Sequence, residues 1–138
     1  MSTEPLDALV ESDPLGRFIL SERHFAAHVN RVKAVVFLPA PQDNATSVFA
    51  IRGLAEEAVW RLGEDLVARP RGKPLWARAD LLVSDVRAVD HLEVVLDNWP
   101  PRHANIIRWP DEKSAQKSCA QELAARATLR VVNPSPAS

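Results

Sequence analysis

Apolar and polar positions change their period several times along this chain, and each change marks an element. Residues 47–52 (SVFAIR) alternate, with Val48, Ala50 and Arg52 on one side and Phe49 and Ile51 on the other, the period of a half-buried strand. Residues 31–38 (RVKAVVFL) form a β-branched apolar run that stops at Pro39-Ala40-Pro41, and Gln42-Asp43-Asn44 supplies turn chemistry. Together the two runs predict an antiparallel hairpin, ended by Gly53. Further extended segments are predicted over 75–83, 92–96, 103–108 and 128–132, while 84–87 fits neither period.

Between residues 54 and 69 the period lengthens to that of a helix. Leu54, Ala58, Val59, Leu62, Leu66 and Val67 share one stripe, and Glu56 and Glu57 sit in the first turn, where the helix dipole favours acids. Pro70 marks the stop. Gly63 lies inside this helix, where glycine costs about 1 kcal/mol relative to alanine. A second helix runs from Asp111, an N-cap after Pro110, to about residue 127. Its stripe of Ala115, Cys119, Ala120, Leu123, Ala124 and Ala127 is small enough to lie close on a sheet. A third, weaker helix fits residues 21–30.

These elements predict one α+β domain over residues 1–138. Its sheet is mostly antiparallel, with about five or six strands and two or three helices packed on it, on one face. The segments 1–16 and 133–138 read as loose termini, with scattered acids at one end and small polar residues and prolines at the other.

Composition changes this picture little. Of 138 residues, 46% are hydrophobic and 25% charged, which suits a folded domain and excludes wholesale disorder. Basic residues number 17 and acidic residues 18, so the net charge of −1 does not favour a dedicated nucleic-acid binder. The lone cysteine, Cys119, cannot form an internal disulfide, and the first residues lack the pattern of a signal peptide. Both point to a cytoplasmic protein with no membrane span. Frequent arginine, alanine and valine suggest a bacterial genome rich in GC.

Candidate chemistry is sparse. Four glycines leave little room for phosphate-cradling loops, and no paired cysteines, nucleophile elbow or cofactor fingerprint is present. The densest segment is Trp99-Pro100-Pro101-Arg102-His103-Ala104-Asn105, closing on Trp109. Trp99, Arg102, His103, Asn105 and Trp109 form a candidate binding set on a loop stiffened by prolines, and His103 is a candidate acid or base. The plainer reading makes both tryptophans core anchors and His103 a cap at a strand end. Arg78 and Asp80, two apart on a strand, form a candidate ion pair, with Asp80 available to orient His103 and Arg78 to hold an anion. His24 and His28 have a metal pair's spacing on a helix but no evident third ligand, so no metal site is expected. The basic run Arg69-Pro70-Arg71-Gly72-Lys73, with Trp76 beyond it, reads as a solvated loop. Cys119 reads as a buried inert thiol.

Two functions follow as expectations. The first is a bacterial binding or accessory module, a protein-interaction subunit of an assembly such as a defence or toxin–antitoxin system, with a protein partner and no cofactor. The alternative is a small enzyme acting on a nucleotide, nucleic acid or other phosphorylated substrate. There His103 is the acid or base, with Arg102 and Arg78 as anion holders.

Overall fold

Alternation with period two builds the centre of the molecule, and in the computed structural model, which describes residues 4–132, it supplies six long-range strands. In chain order the elements are β1 (Pro14–Ile19), β2 (Phe25–Ala26), β3 (Arg31–Val32), β4 (Thr46–Ala50), α1 (Glu56–Gly63), α2 (Arg69–Arg71), β5 (Ala77–Leu82), α3 (Val83–Arg87), β6 (Glu93–Leu96), β7 (His103–Ile107), α4 (Lys113–Arg126) and β8 (Thr128–Val131). The main sheet is antiparallel, in the order β6-β7-β4-β1-β5-β8, and β2 and β3 form a two-stranded ladder beside it. The fold is α+β. Among the described residues no helix is long and apolar enough to cross a membrane.

The expected hairpin of 31–38 with 47–52 does not form. Arg31 and Val32 pair with Phe25 and Ala26, and Ala34–Phe37 coils into a 3-10 turn that buries Val36 and Phe37. Side chains satisfy the carbonyls of that turn: Arg17 Nε donates to Val36 O at 2.9 Å, and Thr46 Oγ1 donates to Phe37 O at 2.7 Å. An apolar run without alternation cannot distinguish a buried turn from a buried strand. β4 pairs instead with β1 and β7.

β1 occupies part of the segment expected to be a loose end. Pro14 and Gly16 disguise it, yet Pro14 is the first strand residue and Gly16 sits where Ile51 and the Asp80 carboxylate approach. Ahead of it, Leu6 N donates to Asn98 Oδ1 and Asn98 Nδ2 donates to Leu6 O. Residues 1–3 and 133–138 lie outside the described residues.

Helices cover both faces rather than one. On one side Leu15, Ile19, Val48, Ala79, Ala104 and Ile106 meet Cys119, Ala120 and Leu123 of α4, whose small stripe lets it lie close. On the other, Phe18, Phe49 and Ile51 meet Val59 and Leu62 of α1. Residues 21–30 hold two 3-10 turns around β2, with no continuous helix. Pro70 does not stop the first helix: α1 runs on through a π turn, Glu64–Ala68, into α2, and Gly72 ends it with φ of 61°. The last helix begins at Lys113 after Glu112, with no side-chain cap from Asp111.

Gly63 reverses its sequence-based accounting. A Cβ there would lie 2.4 Å from two ring atoms of buried Phe18, so the missing side chain lets α1 seat on β1. Gly63→Ala gains about 1 kcal/mol of helix propensity but forces the ring aside at about 1–3 kcal/mol. A lowered urea midpoint, with an unchanged slope, is the expected outcome of denaturation followed by circular dichroism.

Candidate active site

The central strands part company in mid-sheet. β1 and β4 share only the register pairs Leu15↔Ala50 and Gly16↔Phe49, after which β1 continues on β5 alone to Ile19. Arg17 spans the opening, with Nη1 donating to Ser47 O at 2.9 Å on β4 and Nε to Val36 O in the 3-10 turn. A cleft of about 430 Å³ occupies this gap, walled by Val35 and Val36 on one side and by Leu66 and Val67 of the π turn on the other.

Positive charge dominates its lining. Arg17, Arg71 and Lys73 all border the cleft, with His24 and His103, and no Asp or Glu is among its lining residues. Arg71 is fixed by Nη1 donating to Val67 O at 3.0 Å, and the left-handed Gly72 between Arg71 and Lys73 turns the chain at the rim. Burial, then the neighbouring Arg71 charge, pulls the Arg17 guanidinium down to about 10. Burial followed by Lys33, Arg17 and Lys73 holds the His24 imidazole below its ordinary range. At Arg17 and His24, then, burial and neighbouring cations act together against the protonated form.

A polar chain ends in the same cleft. Ser47 Oγ lies 2.6 Å from His103 Nε2, and His103 Nδ1 lies 2.8 Å from Asp97 Oδ1. Ser47, Phe49, His103 and Asn105 project from one face of adjacent strands, and the Phe49 ring meets the imidazole edge-on at 5.4 Å. Burial works against the Asp97 charge, but the Trp99 N–H, His103 and Asn105 outweigh it and hold the carboxyl below its usual range. An ionised Asp97 only accepts, so Nδ1 carries a proton, and in the neutral imidazole Nε2 then accepts from the Ser47 hydroxyl. Hydroxyl, imidazole and carboxylate stand in hydrogen-bond sequence.

The turn before β7 makes this alignment. Asp97 N and Asn98 N both donate to His103 O, and Asn98 and Arg102 take φ of 55° and 74°. That conformation is unusual for arginine. Its side chain compensates: Nε donates to Glu4 O, and Nη1 to Ala50 O and Arg52 O. Arg102 is therefore buried in backbone contacts, and the adjacent His103 faces the cleft.

The candidate residues of the sequence thus fall in different places. His103 borders the cleft, and Asn105 donates to Asp97 behind it. Trp109 is buried with Nε1 donating to Ile106 O, whereas Trp99 is 84% exposed. Arg78 and Asp80 belong to a separate network: bidentate bonds tie Arg78 to Asp80 and to Glu56, Arg130 reaches Asp80, and the guanidinium lies 4.7 Å from the Trp60 ring centroid. Asp80, Gly16, Phe49 and His103 form one register row. Three strand spacings, about 14 Å, therefore separate Asp80 from His103, so the two share no site. His24 and His28 sit in different 3-10 turns, and no group of three or more potential ligands that could hold a metal occurs among the described residues. Cys119 is buried, and burial raises its thiol. Sequence reasoning missed Arg17, Ser47 and Asp97 altogether; Arg71 and Lys73, expected in a solvated loop, are indeed exposed and also border the cleft.

Comparison with protein-family models, curated proteins and solved structures finds no match.

Two outcomes follow from these geometries. Nitrogen-detected NMR of the imidazoles is expected to show His103 as the Nδ1–H tautomer, and Asp97→Asn is expected to shift it toward a mixture. Arg78 is 2% exposed and makes two hydrogen bonds each to Glu56 and Asp80, so Arg78→Ala leaves Asp80 paired with Arg130 alone. It is expected to cost about 2 kcal/mol in chemical denaturation, the range of charged hydrogen bonds, because Glu56 is 57% exposed and Arg130 still meets Asp80.

Proposed function

We propose that the protein is a small enzyme that binds a phosphate-bearing small molecule in the parted sheet and moves protons on it through His103. One observation carries the reading: a cleft lined by Arg17, Arg71 and Lys73 without a carboxylate contains the imidazole that Asp97 orients. Arginine grips phosphate through paired donors, and lysine adds charge at the rim. A volume of about 430 Å³ suits a small ligand rather than a polymer. A bacterial cytoplasm is the setting proposed, on the lone buried Cys119 and the arginine-rich composition.

Sulfate, a divalent anion that does not titrate near neutrality, is the probe. Calorimetry is expected to detect binding that weakens roughly tenfold in Arg71→Ala/Lys73→Ala, whose side chains are exposed, while the melting temperature holds. The sign of the pH effect follows from His24. In the free protein burial and neighbouring cations hold its imidazole low; a bound anion lifts it, so binding takes up a proton and tightens as the pH falls through the lifted range of that imidazole. Equal affinity in the double variant, or no proton uptake across buffers of different ionisation enthalpy, would contradict this reading.

A second reading, the accessory module with a protein partner, is favoured by Trp99. This tryptophan is 84% exposed on the turn that carries Asp97, and exposed tryptophans anchor interfaces. A stoichiometric partner retained from the native host and released by Trp99→Ala would support it. Retention unchanged in that variant counts against it.

A further inference from the structure

We infer that Ser47 is a nucleophile that takes the phosphoryl group of a phosphate monoester, an inference that rests on the anion reading of the cleft. Three independent features converge on its hydroxyl. Oγ lies 2.6 Å from His103 Nε2, and the imidazole is fixed from behind at 2.8 Å by Asp97, whose other oxygen accepts from Asn105. That second bond locks the carboxylate plane, so the base keeps one orientation. Ser47 and His103 both line the cleft, placing the relay where a bound molecule would lie. Finally, Arg17 donates to the carbonyl of Ser47 itself, which holds a guanidinium beside the residue that would attack.

A serine hydroxyl is a weak nucleophile unless a base takes its proton, and such relays recur on unrelated folds, where geometry identifies them. The cations of the cleft favour a phosphoryl centre over an acyl one. A transferring phosphoryl group carries negative charge on its equatorial oxygens throughout the reaction, and fixed cations stabilise it. In the first step the Oγ–P bond forms as the P–O bond to the leaving alcohol breaks. His103 Nε2 accepts the Oγ–H proton and delivers it to the departing oxygen. Water then attacks phosphorus, giving a proton to His103. The P–Oγ bond breaks, Oγ recovers that proton, and inorganic phosphate leaves. The net reaction is hydrolysis of the monoester, with water as the co-reactant.

Ser47 sits on β4 in the middle of a sheet, on a strand rather than a loop, beside the buried Phe49. Asp97 is a positioning residue, since it acts only through His103.

Diisopropyl fluorophosphate tests the assignment, because an activated serine displaces its fluoride without a known substrate. Intact-mass and peptide mass spectrometry of the full chain are expected to place the adduct on Ser47. The labelling rate is expected to fall about 100-fold or more in His103→Ala, the range of general-base catalysis. Asp97→Asn, which preserves shape should His103→Ala fail to fold, is expected to slow labelling and displace its pH profile, whereas a merely structural role would leave the profile in place. Ser47→Ala is expected to abolish the adduct and keep sulfate binding within about twofold, since the cations remain. Adduct elsewhere, or equal labelling in the His103 and Asp97 variants, would overturn the proposal. Sulfate binding without any Ser47 adduct removes the nucleophile and leaves the anion reading standing. A Ser47 adduct without sulfate binding supports the nucleophile and removes both the anion reading and the phosphate monoester as substrate.

Discussion

The parting of β1 from β4 is the feature on which the rest of the molecule depends. Two central strands that pair at only two positions leave backbone carbonyls facing a gap, and in a buried sheet each such carbonyl needs a donor. Arg17 supplies them, one nitrogen to Ser47 O and another to Val36 O, and so ties a strand and a 3-10 turn that no ladder joins. The same side chain brings an uncompensated positive charge into the cleft that it holds open.

Two arginines show how differently one residue type can be used on one sheet. Arg78 on β5 is almost wholly buried, and its charge is met by Glu56 and Asp80 in bidentate pairs with Trp60 beside them. Burial opposes that charge, and the carboxylates outweigh it, so its proton is held more tightly than in water. Arg17 on β1 receives carbonyl dipoles only, and burial together with Arg71 loosens its proton. The first network is electrically closed, as a structural one is. The second has no carboxylate among the residues that line its cleft.

Geometry at the far side of the cleft depends on another buried arginine. Arg102 takes a left-handed backbone conformation because three carbonyls, those of Glu4, Ala50 and Arg52, hold its guanidinium. The tight turn that results lets Asp97 and His103 lie side by side across six residues of chain, with the imidazole aimed at Ser47 on the next strand. Removing polar contacts on the hidden side of the turn would therefore be felt at the relay.

The fold class and most element positions were legible in the residue pattern: the strands near 75–83, 92–96, 103–108 and 128–132, the amphipathic α1 and the small-residue face of α4. They were legible because those elements bury one face, and a face imposes its period on consecutive residues. His103 also stood out, as a titratable residue in a stiff segment. Long-range packing alone reveals that Val36 and Phe37 turn under α4 and leave no hairpin, that Pro14 and Gly16 belong to a strand, and that Phe18 needs a glycine at position 63. The cleft was equally hidden. Arg17, Ser47, Arg71, Lys73 and Asp97 join His103 from separate stretches of the chain, and nothing local distinguishes those five from solvated polar residues. Their chemistry arises from strand register and from one gap in a sheet, and both are long-range properties that no window along the chain contains.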